Sequence, residues 1–422
     1  MYSIDVLINF NEIFISSILL FIIVISFYKY IEIDTFTKNN KFLFINFAAI
    51  KLCITVFTTF YIFDYSSDGK LYRKTSQRLL NLIYNDPPSF TNSFFKVSDH
   101  LDNSLIFFTH IISLEYFFLF NSYIATNILI SSITIFCAWR LFKVFKNQFS
   151  DHSNLCFYPI LFTPAFLFWT SSSHLKEAYM YSCLVLIIYA IYTFPYRFKI
   201  LKVATIILCG YFIFVTRSFL FIILLVSILG TLYIIQFNNF NKIRYKVPII
   251  FSSLLLILFV AIAFNSDTVD KFFINASHRK THSTMITKKT NGALIKSNHK
   301  IKNNTTEILY FPMHVITASF RPWLWESGNS KTNIIKIESF IILVTFLYLL
   351  FSLIKFEFKN IKINPLITFS ILFSLGLLFT IGLSSANYGA ISRYRSITVP
   401  FLLTALWTII QSIYNSKNPS LE

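Results

Sequence analysis

Eight residues in the last third of the chain, Ser319 to Glu326, hold the densest set of groups that could do chemistry. Arg321, Glu326, the helix-breaking Pro322 and the indoles of Trp323 and Trp325 follow the longest polar segment and precede another apolar run. Indoles settle at headgroup depth in a bilayer, and a guanidinium there can take both oxygens of a phosphate. Its plainer use is an ion pair with Glu326. Arg393 and Arg395, two apart beside Tyr394 and after Asn387-Tyr388-Gly389, repeat the pattern, as phosphate or glycan contacts or as snorkelling cations. Lys176 and Glu177 follow Ser171-Ser172-Ser173-His174-Leu175 between two short apolar runs. They could bind phosphate and serve as acid or base, or could simply flank a helix start. Arg217 is the one charge between Val203 and Ile235, and ionised groups within membrane runs are costly unless they serve a function. Asp64 and Asp68 close the second apolar run. Either could accept a proton from an incoming hydroxyl, and Asp68 could equally cap the next helix. Lys51 lies in mid-run, where an acid such as Glu115 could pair with it.

The elements that must carry these groups are membrane helices. Of 422 residues, 55% are hydrophobic and only 13% charged, with mean hydropathy +0.61, whereas soluble domains average about 25% charged. The apolar runs do not alternate and approach the roughly twenty residues of a bilayer crossing, which predicts an all-α integral membrane bundle. Eleven spans are expected, at about 8–28, 42–63, 119–141, 155–170, 178–195, 202–216, 219–236, 248–265, 333–354, 365–384 and 397–414, in one polytopic domain over 1–422. Alternate short loops are basic (Lys29, Lys38 and Lys41; Arg140, Lys143 and Lys146; Lys355, Lys359 and Lys362), so the positive-inside rule puts the N-terminus outside and the C-terminus in the cytoplasm. The first run has no basic residue before it and reads as a retained helix, not a signal peptide.

Two long polar stretches then face outward. The first, 64–117, is expected to hold two interfacial helices, about 70–83 and 105–117, joined at Asn85-Asp86-Pro87-Pro88. The second, 266–332, is basic, and the net charge of +18 suits an anionic partner. The runs 155–170 and 178–195 are short for full crossings and would draw the turn at 171–177 into a recess. No phosphate-loop or dinucleotide fingerprint occurs. The five cysteines lie in apolar runs without ligand spacing, so no cofactor and no metal site is expected, a bound metal ion being left open. Nothing points to nucleic acid.

The layout resembles bacterial membrane glycosyltransferases of the GT-C type and the O-antigen and capsule polymerases (Wzy-like) grouped near them. The resemblance lies in an acidic residue opening an outer loop with two interfacial helices, and in Phe320 to Glu326 and Asn387 to Arg395. It implies glycosyl transfer from an undecaprenyl-phosphate-type donor to a glycan acceptor at the outer leaflet of the bacterial inner membrane, beside membrane lipid and other polysaccharide-assembly proteins. By that resemblance Asp68, with Asp64 and Glu177 behind it, is the base. Arg321, Arg217, Lys176, Arg393 and Arg395 contact phosphate, and Trp323, Trp325 and Tyr388 stack on sugar. Two departures stand out: the acidic loop follows the second span and not the first, and no paired acids are present. The rival reading is a flippase for lipid-linked oligosaccharide, against which stands the lack of self-similar halves.

Overall fold

The computed structural model describes residues 10–33, 38–65, 67–95, 103–193, 199–238, 309–326, 330–355 and 364–415, with scattered positions between 274 and 295. Most of these are helical, and no β-strand occurs among them. In chain order the helices are α1 (Phe10–Ile33), α2 (Lys38–Tyr65), α3 (Ser67–Asn85), α4 (Pro87–Phe95), α5 (Asn103–Phe118) and α6 (Tyr123–Gln148). A 3-10 turn (Asn154–Phe157), α7 (Pro159–Phe162), α8 (Pro164–Trp169), α9 (Lys176–Thr193), α10 (Lys199–Thr216) and α11 (Ser218–Asn238) follow. The last four are α12 (Phe311–Phe320), α13 (Ser330–Lys355), α14 (Pro365–Ser384) and α15 (Tyr388–Asn415). Among the described residues seven helices are long and apolar enough to cross a membrane: α1, α2, α6, α10, α13, α14 and α15.

Prolines and caps explain where helices start and stop. The run expected as one helix over 155–170 is instead the 3-10 turn, α7 and α8, because Pro159 and Pro164 lack the N–H that a continuing helix needs. Asp86 accepts the Ser89 N–H and hydroxyl and Pro87 takes the first helical position, so a helix not anticipated from sequence, α4, begins inside the expected loop. The last helix also starts earlier than the expected 397. Asn387 accepts the Ala390 N–H at 2.6 Å as an N-cap, which places Tyr388, Arg393 and Arg395 on α15 and not in a turn. Between α5 and α6 the chain reverses through Phe120 and Asn121, both at positive φ (51° and 61°), with the Asn121 N–H on Tyr116 O. Helices do stand at the two expected positions, as α3 and α5, and they pack on each other. The expected span 248–265, and 266–332 except for 309–326 and a few isolated positions, lie outside the described residues.

The chain divides into two compact units, 1–144 with 167–219 and 145–166 with 220–422. In the first, Leu80 of α3, Phe108, Ile112 and Tyr116 of α5, Tyr123 and Ile130 of α6 and Tyr179 of α9 share a core. Lys70, Lys74 and Arg78 stay on the exposed side of α3, whereas Arg73 turns inward over the Tyr123 ring at 4.6 Å. Glu12 of α1 accepts from the Tyr123 N–H at 2.9 Å, the Ile124 N–H at 3.3 Å and the Ser122 hydroxyl at 2.6 Å, a carboxylate supplied by one helix to cap the N-terminus of another. Glu12→Ala is expected to cost about 1–2 kcal/mol of stability, the scale of a lost N-cap, read as a lower melting midpoint in detergent. An unchanged midpoint would show that the cap carries no weight. In the second unit α12 packs on α14, and α13 and α14 pack on α15.

Candidate functional site

Each unit gathers charged groups of its own. In the first, α9 opens with Lys176 and Glu177, both buried, after a turn, Thr170 to His174, in which every side chain is buried. Arg217 sits in the break between α10 and α11, its N–H still bonded to Ile213 O. It crosses to Glu177, with Nη2 at 2.8 Å from Oε1, a pair with only 12% and 1% of the side chains exposed. Two residues singled out separately in the sequence are thus one buried ion pair. Lys176 turns the other way, donating to the Ser104 hydroxyl at 3.1 Å and carbonyl at 3.3 Å and lying 5.7 Å from the ring centres of Tyr72 and Phe108. Asp64 lies in α2 and Asp68 in α3, and their side chains are outside the described residues.

The same unit contains a buried polar seam that the sequence reading missed. On α2, Lys51, Thr55, Thr58 and Thr59 share one face, as do Asn127, Ser131 and Thr134 on α6, and all are buried. Lys51 Nζ donates to Thr170 Oγ1 at 2.5 Å and Leu167 O at 3.3 Å, while the Thr55 hydroxyl donates to Ser131 at 2.6 Å. Asn127 donates to Thr59 and accepts from the Ser172 and Ser173 hydroxyls and the Ser173 N–H. Lys51 therefore meets the buried turn that precedes α9. Glu115, considered as its partner, accepts from the Tyr179 hydroxyl at 2.6 Å. The signal was there in the i, i+4, i+7 spacing of polar residues inside two apolar runs.

His174, in the turn outside the spans, closes the seam. It meets the Tyr116 hydroxyl at 2.7 Å and the Ser173 hydroxyl at 3.0 Å, with the Tyr123 ring 4.7 Å away. Burial, helped by the nearby Arg73 charge, pushes its pKa down to about 3. The folded chain keeps this imidazole neutral, whereas the unfolded chain binds a proton below about pH 6.5. Stability should therefore fall as pH drops below about 6.5, by about 1.4 kcal/mol per unit for the one proton. Melting midpoints from pH 7 to pH 4 check this, and His174→Gln is expected to flatten that part of the curve.

In the second unit, α12 ends at Phe320 and Arg321 follows with extended backbone. Arg321 Nε donates to Glu326 Oε1 at 2.7 Å and its Nη2 bonds the same oxygen, while Glu326 Oε2 accepts from the Tyr388 hydroxyl at 2.7 Å and the Trp323 N–H at 3.2 Å. The ion pair considered for Arg321 is formed. Trp323 and Trp325 stack at 5.4 Å with planes 2° apart, and Trp325 is 76% exposed. Arg395 is fully buried: Nε donates to Ala318 O at 2.5 Å, Nη1 to the Ser339 hydroxyl at 2.7 Å, and Nη2 to Arg321 O. Its guanidinium holds the C-terminal end of α12 against α13, and that use differs from the phosphate contact expected of it. Arg393 lies over the Tyr394 ring at 5.2 Å. Thus Glu177 with Arg217, and Arg321 with Glu326 and Tyr388, are brought together within their units.

Among the described residues no three His, Cys, Asp or Glu side chains gather to hold a metal ion. No family model, curated protein or solved structure matches the chain.

Proposed function

We propose that this chain is an eleven-span protein of the bacterial inner membrane, N-terminus outside and C-terminus cytoplasmic, that forms glycosidic bonds at the outer leaflet. The donor is a glycan carried on polyprenyl (pyro)phosphate, and the favoured reaction is the joining of O-antigen or capsule repeats. The observation that carries the reading is the placing of Lys176, Glu177 and Arg217, three charged and largely buried side chains, at breaks between apolar helices. Such groups are kept in apolar surroundings where an ionic ligand or intermediate has to be met.

In this reaction an acceptor hydroxyl oxygen attacks the anomeric carbon, the bond from that carbon to the phosphate oxygen breaks, and the polyprenyl phosphate leaves with the bonding electrons. The hydroxyl proton passes to a carboxylate. Asp68 fills that role better than Glu177, because the Glu177 carboxylate is already engaged by Arg217. Arg217 and Lys176 supply positive charge for the departing phosphate.

Asp68→Asn is expected to lower polymerisation by about 100- to 10,000-fold, the usual contribution of a general base, at normal membrane abundance. The readout is the length distribution of surface glycan in cells that depend on this gene. A wild-type ladder from Asp68→Asn would overturn the assignment. A second reading, a flippase for lipid-linked oligosaccharide, draws on the seam around Lys51, since intramembrane ionisable groups commonly line transport paths. It predicts repeats stalled on the cytoplasmic side when Lys51 is replaced by methionine, in place of single repeats exported unjoined.

A further inference from the structure

The second unit contains a groove that the proposed reaction does not use. Leu155, Tyr158 and Phe162 line one wall, and Ile341 of α13 with Leu403 and Trp407 of α15 the other, around about 460 Å³ of open space. Thr163 and Glu338 are its polar members. Glu338 is only 2% exposed and accepts the Ala165 N–H at 3.1 Å, so its carboxylate is tied to the start of α8. The remaining lining is apolar.

Two facts decide what could fill such a space. First, α13 and α15, which form one wall, are membrane-crossing helices by length and composition, and the face of α13 beside the groove is apolar and open: Phe340, Ile341, Val344 and Tyr348 are each 44–49% exposed. The groove is therefore continuous with a surface that hydrocarbon covers. Second, its size suits a chain. An apolar cavity of about 150 Å³ takes one benzene, so about three times that volume matches about eighteen hydrocarbon carbons. The breaks at Pro159 and Pro164 create the space, because a straight helix over 155–170 could not bend away from α13 and α15.

The geometry points to a binding site for one acyl chain of a bilayer phospholipid, seated between the Leu155–Phe162 segment and the α13–α15 wall. This site stands apart from glycosyl transfer and holds whether or not that reading does. Its occupancy would cover the Trp407 ring, which is 36% exposed.

The test uses the full chain in vesicles of phosphatidylglycerol and phosphatidylethanolamine containing a phospholipid with a diazirine near the end of one acyl chain. After irradiation, labelled peptides are mapped by mass spectrometry. Labelling is expected to concentrate on 155–164, 338–341 and 403–407 over the exposed lipid-facing residues Ile207 and Leu208 of α10 by about five-fold or more. Ile341→Trp and, separately, Leu155→Trp fill the groove from its two rims, where both residues are well exposed (44% and 67%), and each should cut that excess at least three-fold. Even labelling of all lipid-facing helices, or an excess unchanged in both variants, overturns the proposal. So does selective capture of a diazirine-bearing isoprenoid in place of the phospholipid.

Discussion

Arg395→Leu is expected to lower the stability of the folded chain by about 3–5 kcal/mol, the largest effect of any single charge removal in the second unit. The reasoning starts from burial. Arg395 has no solvent exposure and all three of its guanidinium nitrogens have protein acceptors: the carbonyls of Ala318 and Arg321 and the Ser339 hydroxyl. Removing it leaves two carbonyls at the C-terminal end of α12 without that donor, each worth about 1–3 kcal/mol once it is buried. It also removes the positive charge that Glu338, itself buried, feels from α15. Adding Glu338→Gln to Arg395→Leu should recover part of the loss, since no charge is then left uncompensated. The measurement is the melting midpoint in detergent of the two variants, with membrane abundance alongside. A single variant that melts with the wild type would show that the guanidinium bonds carry no net stability.

Gly382→Val should be more damaging still to the packing of α12 on α14. A Cβ built on Gly382 would lie 2.7 Å from the carbonyl carbon of His314 and closer yet to its oxygen. The obstacle is backbone, which cannot swing aside as a side-chain tip can. The two helices would have to part, pulling Phe379 away from the rings of Phe311 and His314, which it now meets at 5.0 and 5.8 Å. Overpacking of this kind costs about 1–3 kcal/mol where neighbours relax, and more where they cannot. The expected result is little folded protein for valine and a lowered midpoint for alanine. Gly376→Ala is the control, because its Cβ would meet only the side chain of Ile223, at 3.0 Å. Equal behaviour of the 376 and 382 variants would remove the argument.

Small residues at close helix contacts are how membrane helices gain packing energy where lipid gives no hydrophobic drive. Which small residue matters is not written in its neighbourhood. Nothing local marks Gly382 out from Gly376: both sit in the same apolar run, and only the position of His314, 68 residues earlier, separates them. The same holds for Glu12, whose cap on α6 spans 110 positions of sequence or more. By contrast the ends of α4, α7, α8 and α14 lie at Pro87, Pro159, Pro164 and Pro365, where the missing N–H acts within one turn of chain.

Composition and run length by themselves determined that this chain is helical and apolar enough to enter a membrane, because a bilayer's thickness and dryness impose both on any sequence that spans it. They also marked the charged residues worth watching, Lys176, Glu177, Arg217 and Arg321. Tertiary structure alone decided what those charges face. Glu177 found Arg217 forty residues away, Lys51 found Thr170 across 119, and Arg395 went to main-chain carbonyls instead of outward. The reason is that the cost of burying a charge or a polar group is local and readable from one residue, whereas the partner that offsets it is chosen by packing between helices far apart in the chain.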